Sequence, residues 1–291
     1  MTNPTARTEP SDLILPGHAY LALPRNPETW LLRSLLPVGG LLNIYGEAKI
    51  GKSFAALQMA TALQHGGCWL GFQVVSTGPV VYIQLDTPRS LWLERLDALG
   101  ACMTPLHYAD RDTLGTWPFD IGRPDHFQRL QRALQPVAPV AVFLDTLREA
   151  HAKDENKSDQ MQTVFALLQA ATYPAALIVI SHARKPTDAA PDLIADQRGS
   201  SYTAGRVDAV VRFTRKTLFY TGRAIEEGSI RLTRLDNGFW EPDTEQAQLM
   251  DHHARTVLVD PTLTTVKAQA LALSTLTHKS PEACRSFLRR R

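Results

Sequence analysis

Residues 46–53 match the phosphate-binding pattern G-x-x-x-x-G-K-[ST] at every fixed position, and we call them the phosphate loop. Glycines let such a loop wrap closely around a phosphate, so that backbone N–H groups and a helix N-terminus face its negative charge. Lys52 is predicted to reach the β- and γ-phosphates of ATP, and the Ser53 hydroxyl to bind Mg²⁺. The alternative is a glycine-rich turn with a surface lysine. The predicted nucleotide contacts are Gly46, Glu47, Ala48, Lys49, Ile50, Gly51, Lys52, Ser53 and Phe54.

Two acidic residues follow apolar stretches that are typical of buried strands. Asp145 ends VAVFLD, and Asp86 ends VVYIQLD. A phosphate loop needs a carboxylate on a nearby strand to hold the metal through water, and we assign that role to Asp145. Asp86, on the edge where open α/β sheets bind ligands, is a candidate to orient or deprotonate the attacking water. The alternative for each acid is a strand end or a helix cap, which for Asp86 would lie beside Pro88.

A third candidate is His182, which follows the apolar stretch ALIVIS. A polar side chain at the end of a strand in this position can contact the γ-phosphate and report its loss. A single histidine is more often structural, so its position alone leaves both interpretations open.

These residues depend on strands and helices that alternate along the chain. Apolar stretches at 41–45, 80–85, 140–144 and 176–181 predict buried strands, because each is apolar on both faces. Helical spacing predicts helices over 53–65, 90–99 and 158–172, the last capped by Ser158. The fold class is therefore α/β, with a mainly parallel central sheet and helices on both faces.

The pattern changes after about residue 205. The stretches VDAVVRF, KTLFYT and SIRLTRL alternate in polarity and predict antiparallel edge strands, with a hairpin turn at Asn237-Gly238. We predict a disordered tail over 1–14, one core domain over 15–245 and a small helical segment over 246–291. The last segment ends in three arginines, which indicate a solvated tail or a docking element.

Composition excludes several classes of protein. The chain has 291 residues, and its 31 Lys and Arg against 29 Asp and Glu give a net charge of +2, which excludes a strongly basic histone-like binder. Three widely spaced cysteines form neither a zinc pattern nor a disulfide framework, and they fit a reducing, cytoplasmic compartment. The sequence predicts neither a signal peptide nor a membrane span.

Several segments together resemble RecA-like P-loop ATPases, and most closely the plasmid-encoded RepA-type hexameric replicative helicases. The combination of LDTLR, DEN, a strand ending in SHARK, and RGSS is far more specific than the phosphate loop alone. The resemblance covers about residues 29–245 and rests on segments 29–53, 78–88, 142–161, 179–185 and 198–211. It implies a RecA-like core with Mg²⁺–ATP bound between neighbouring subunits of a ring, and it places His182 at a γ-phosphate sensor.

The resemblance also suggests where nucleic acid binds. Segment 184–201 corresponds to a loop that faces the central channel of the ring, where single-stranded DNA is held. Its positive charges are Arg184, Lys185 and Arg198. No aromatic residue lies between Arg184 and Ser201, so base stacking in this loop is not predicted.

Two features of the resemblance leave alternatives open. Asp86 stands where related proteins usually have a glutamate as the catalytic base. The aspartate side chain is shorter by ~1.5 Å, so it positions the attacking water less well. Hydrolysis is therefore expected to be slow, unless the strand is shifted or Glu47 or Glu149 acts as the base instead. An arginine finger supplied by a neighbouring subunit falls at Arg223 or Arg206.

The resemblance favours a DNA-translocating motor, whereas Asp86 favours an ATP-gated assembly protein with little turnover. A monomeric metabolite kinase fits the phosphate loop only.

Overall fold

The computed structural model describes residues 14–22, 30–100, 106–115, 118–155, 157–183, 206–243 and 269. The helices are α1 (Gly17–Leu21), α2 (Lys52–His65), α3 (Arg89–Leu99), α4 (Pro124–Leu134) and α5 (Ser158–Thr172). The strands are β1 (Trp30–Leu32), β2 (Leu36–Pro37), β3 (Leu41–Gly46), β4 (Cys68–Trp69), β5 (Phe72–Gln73), β6 (Val80–Gln84), β7 (His107–Asp110), β8 (Ala141–Asp145), β9 (Ala176–His182), β10 (Ala209–Phe213), β11 (Thr217–Gly222), β12 (Ile225–Arg234) and β13 (Trp240–Pro242).

Nine of these strands form one sheet in the order β13-β12-β11-β10-β3-β9-β8-β6-β7. The six strands from β10 to β7 are mutually parallel. The four predicted strands are confirmed as β3, β6, β8 and β9, and they are consecutive in the sheet. Because the strands are parallel, their carboxyl ends meet at one edge of the sheet, where ligands bind in open α/β folds.

Helices cover both faces of the sheet, as predicted. Along β3, Leu42 and Ile44 pack on the face covered by α2 and α3, while Leu41 and Tyr45 pack on the face covered by α4 and α5. Every residue of β3, β6 and β8 is buried. This two-sided burial is the reason why the strands read as continuous apolar runs.

The second half of the sheet is antiparallel, with one correction to the prediction. β10 pairs parallel with β3 on one side and antiparallel with β11 on the other, so it is an internal strand and not an antiparallel edge strand. It is internal because Ala209, Val210 and Val211 are buried on both faces. The predicted hairpin is confirmed between β12 and β13, where Gly238 has φ +88°.

The predicted cap of α5 is wrong. Ser158 is the first helical residue, Lys157 takes the N-cap position, and no side chain caps this end. The Met161 N–H donates to the Lys157 carbonyl at 3.0 Å, which draws Lys157 into the first turn. The predicted tail before Ile14 and the predicted C-terminal helices lie outside the described residues, apart from Gln269. In the part of the chain that the structure describes, no helix is long and apolar enough to cross a membrane.

Candidate active site

The predicted chemical residues converge on one cleft at the carboxyl edge of the parallel strands. In register, Gly46 of β3 lies opposite His182 of β9, and Asp145 of β8 lies opposite Gln84 of β6. We call the resulting space, of about 280 Å³, the nucleotide cleft. Its lining comprises Lys49, Gly51, Lys52, Ser53, Phe54, Asp86, Thr87, Arg95, Asp145, Thr146, Ile180, His182 and Arg234.

The glycines of the phosphate loop are required by its geometry. Gly51 has φ +97°, a conformation that favours glycine, and helix α2 begins at the next residue. A Cβ atom on Gly46 would collide with the backbone carbonyl of Phe213 on the neighbouring strand. The loop therefore turns sharply between β3 and α2 and leaves the first N–H groups of α2 facing the cleft, as an anion site requires.

Lys52 is buried at the mouth of this loop, where only 4% of its surface is exposed. Its ammonium donates to the carbonyl oxygens of Gly46 at 3.0 Å and Glu47 at 2.6 Å. Burial lowers the pKa of Lys52 to about 8, against the opposing effects of nearby Asp145 and Asp86. The loop thus holds a cation that is only marginally stable without an anionic ligand.

We expect nucleotide affinity to fall as the pH rises above 8. In the free protein Lys52 loses its proton near that pH, because its pKa is lowered to about 8, whereas a bound polyphosphate requires the ammonium form. Affinity is therefore close to its maximum at pH 7 and has begun to fall by pH 8, and the dissociation constant at pH 9 should be about tenfold higher than at pH 7. Titration with a fluorescent ATP analogue measures this. The Lys52→Arg variant is the control, because its guanidinium does not titrate in this range; an equal pH dependence in that variant would contradict the assignment.

Asp145 and Ser53 are adjacent, as the predicted magnesium site requires. The Ser53 hydroxyl hydrogen-bonds the Asp145 carboxylate, which also accepts the Tyr82 hydroxyl at 2.9 Å. Asp145 is almost fully buried, and burial raises its pKa. A hydroxyl and a carboxylate are oxygen ligands of the kind that Mg²⁺ prefers beside substrate phosphates, so the residues present fit this ion. Bound Mg²⁺ would also compensate the buried negative charge of Asp145.

Gln84 connects the two acids. Its side-chain oxygen accepts the backbone N–H groups of Asp86 at 2.7 Å and Thr87 at 3.0 Å, and its amide nitrogen lies 3.4 Å from Asp145 Oδ2. Asp86 lies close enough to raise the pKa values of both Lys52 and Asp145. Gln84 therefore fixes the chain segment that carries Asp86 beside Asp145.

The two candidate arginine fingers, Arg223 and Arg206, lie far from the nucleotide cleft of the same chain. Arg223 lies 3.6 Å from Asp208 and donates to the carbonyl of Arg206 at 3.4 Å, while Arg206 donates to Gln169 at 2.8 Å. Asp208 accepts the N–H of Leu41, the first residue of β3. Both arginines therefore lie at the amino edge of the sheet, about 16 Å from the phosphate loop along the length of β3.

The other predicted residues fall outside the cleft or outside the described residues. Neither Glu47 nor Glu149 contributes to the described lining of the cleft, whereas Asp86 does. Glu47 instead lines a neighbouring cavity of about 530 Å³. Arg184, Lys185 and Arg198 lie outside the described residues.

Among the side chains that the sequence interpretation missed, four contribute directly to the cleft or support its acids. Arg95 and Arg234 line it, and both guanidinium groups lie over the Phe54 ring, at 5.9 and 5.4 Å from its centroid. Tyr82 and Gln84 hold Asp145 from β6. A usable signal existed for Gln84, because an amide within a continuous apolar strand must find buried partners.

Two comparisons with known proteins agree with this geometry. The sequence model of the AAA domain family matches residues 5–188, which is more than half of the chain. Among solved structures, the ATPase domain of G40P has a similar fold, with a TM-score of 0.53 and 12% sequence identity. That likeness covers 70% of this chain and 84% of the other, and at this identity it shows the fold alone. It confirms the predicted α/β fold with a mostly parallel central sheet.

Proposed function

This chain belongs to the AAA domain family, and from that premise we propose that it is a Mg²⁺-dependent ATPase that forms a hexameric ring and moves along single-stranded DNA as a replicative helicase. The family and the fold support the more general part of this proposal, which is that the chain is a RecA-like P-loop ATPase. The observation that carries the proposal is the cleft in which Lys52, Ser53, Asp86, Asp145 and His182 meet. The resemblance to RepA-type helicases supports the ring and the DNA, and the three widely spaced cysteines support the cytoplasmic compartment.

Each of these five residues has a proposed task in the transfer of a phosphoryl group to water. The backbone amides of the phosphate loop and Lys52 hold the phosphates of ATP. Ser53, and Asp145 through water, would hold Mg²⁺, which supplies charge neutralisation on the phosphate oxygens. Asp86 orients the attacking water and accepts its proton, and His182 contacts the γ-phosphate. A positive charge from Arg223 or Arg206 of a neighbouring subunit stabilises the transition state.

DNA binding is assigned to the segment that follows β9. That strand ends at His182, so a γ-phosphate contact and the start of segment 184–201 are separated by one residue. Arg184, Lys185 and Arg198 provide the proposed DNA contacts. Because the net charge is only +2, we propose that affinity for DNA comes from a few residues repeated around a ring. A lone subunit should therefore bind DNA weakly.

The oligomeric mass with a non-hydrolysable ATP analogue tests this proposal. Light scattering should give the mass of six subunits when the analogue and Mg²⁺ are present. A mass of one subunit under these conditions would contradict the ring and favour a monomeric kinase. Tight, salt-sensitive DNA binding by that monomer would contradict the proposed channel.

We expect mixed rings to regain the activity that two variants lack alone. Lys52→Met removes a positive charge from the nucleotide cleft of the subunit that carries the substitution. Arg223→Ala removes a positive charge from the amino edge of the sheet, where the arginine would act on the cleft of a neighbouring subunit. Subunits of the two kinds mixed in equal amounts should therefore recover ATP turnover, because some interfaces combine an intact cleft with an intact arginine. Recovery with Arg206→Ala in place of Arg223→Ala would assign the finger to Arg206. No recovery in either mixture would contradict a finger supplied in trans.

Asp86 is the observation that favours a second candidate function. A carboxylate shorter by ~1.5 Å than glutamate positions water less well. The chain would then bind ATP, assemble and organise DNA or partner proteins with little turnover. ATP-driven assembly without measurable hydrolysis in the presence of DNA would favour this candidate over the motor.

A further inference from the structure

A tryptophan remote in sequence contacts the phosphate loop. Trp240, on β13, donates its indole N–H to the carbonyl oxygen of Gly51 at 3.3 Å, across 189 residues of sequence. The side chain is buried, with 2% of its surface exposed. A Cβ atom on Gly51 would lie only 3.0–3.3 Å from three indole atoms. The indole therefore packs directly against the loop at a residue with φ +97°.

This contact helps to fix the direction of one peptide group. The Gly51–Lys52 peptide is trans, so its carbonyl and its N–H point in opposite directions within one plane. Trp240 and the Ala55 N–H, at 3.1 Å, both hold the Gly51 carbonyl. The opposite end of the peptide, the Lys52 N–H, is thereby directed away from them at the start of α2. We infer that Trp240 is a positioning residue for nucleotide binding, which directs the Lys52 N–H toward the phosphates; this inference rests on the proposed ATP site.

Further contacts fix Trp240 to helix α2. The Gln58 side chain donates to the Trp240 carbonyl at 2.7 Å and accepts its backbone N–H at 3.1 Å. Beside it, Gly238 packs so closely on the Phe54 ring that a Cβ atom there would lie 2.7 Å from the ring. The hairpin of β12 and β13 thus holds the first two turns of α2, although neither strand belongs to the parallel part of the sheet.

The test compares two tryptophan variants on the same helix. Trp240→Phe keeps a ring and removes the indole N–H. Trp69→Phe is the matched control, because Trp69 is also fully buried and donates to a carbonyl of α2, that of Ala55, at 2.9 Å. Both variants should lose similar thermal stability. Only Trp240→Phe should raise the dissociation constants of fluorescent ATP and ADP analogues, by about fivefold each, with the AMP analogue unchanged.

Intrinsic fluorescence gives a second readout. Nucleotide binding should change the tryptophan emission of the wild type and of Trp69→Phe, and the change should be smaller in Trp240→Phe. If Trp240→Phe does not fold, Gln58→Met is used instead, and it should raise the same two dissociation constants. Equal nucleotide affinities in the Trp240 and Trp69 variants would overturn the inference while the ATP site stands. Failure of the wild-type chain to bind ATP would instead overturn the proposed function.

Discussion

Replacing Lys52 by methionine is expected to lower ATP turnover at least about 100-fold without lowering the melting temperature. The loss follows because Lys52 is the cation to which we assign contact with the β- and γ-phosphates, and one such electrostatic contact accounts for about 10²–10³ in rate. Stability is preserved because burial lowers the pKa of Lys52 from 10.5 to about 8, so the charged side chain costs the folded state about 3 kcal/mol at pH 7. Methionine has a similar length and needs no solvation.

Steady-state hydrolysis and thermal unfolding of the same preparation measure both effects. Lys153→Met is the control, because it removes an exposed lysine that does not line the cleft. It should leave turnover and melting temperature close to the wild-type values. Wild-type turnover in Lys52→Met would show that the phosphate loop is not the site of hydrolysis.

Replacing Asp145 by asparagine is expected to lower Mg²⁺-dependent turnover at least about 100-fold, while nucleotide binding without Mg²⁺ persists. The variant removes the carboxylate that Ser53 and Tyr82 contact, and with it the proposed water-mediated contact with Mg²⁺. Folding should not suffer, because burial raises the pKa of Asp145 and already disfavours its charge. The asparagine oxygen can still accept the Tyr82 hydroxyl.

Asp110 offers a matched control, because replacing it should lower stability without lowering ATP turnover. It ends β7 at the same edge of the sheet, but its carboxylate is paired with the Arg89 guanidinium, which lowers its pKa to about 2. Above pH 4 that pair stabilises the fold, and the stability is lost as the pH falls toward 2. Asp110→Asn should therefore lower the melting temperature at pH 7 and leave turnover unchanged. Turnover lost in Asp110→Asn but kept in Asp145→Asn would contradict both assignments.

Local sequence patterns were sufficient for the centre of the molecule. The four strands that read as continuous apolar runs were predictable because parallel strands are buried on both faces. The phosphate loop, Asp86, Asp145 and His182 follow directly from them, since parallel strands place their carboxyl ends together. By contrast, β7 (HYAD) is short and polar, and its pattern does not predict a strand. Helix α4 is absent from the prediction although its sequence carried a signal, because Phe127, Leu130 and Leu134 follow helical spacing after Pro124.

Contacts between segments that are distant along the chain could not be predicted from the sequence. The positions of Trp240 against Gly51 and of Arg234 over Phe54 depend on how the antiparallel strands fold back across α2. No local periodicity encodes such a pairing. Gln84 is a different case. An amide within an apolar strand indicates a buried polar partner, but the sequence does not show that this amide links Asp86 to Asp145.

Steady-state ATP hydrolysis by the 291-residue chain, with Mg²⁺ and with or without single-stranded DNA, tests the proposed motor most directly. We predict measurable hydrolysis that single-stranded DNA stimulates and that Lys52→Met abolishes in both conditions. Tight ATP binding with no turnover, whether or not DNA is present, would contradict the proposal.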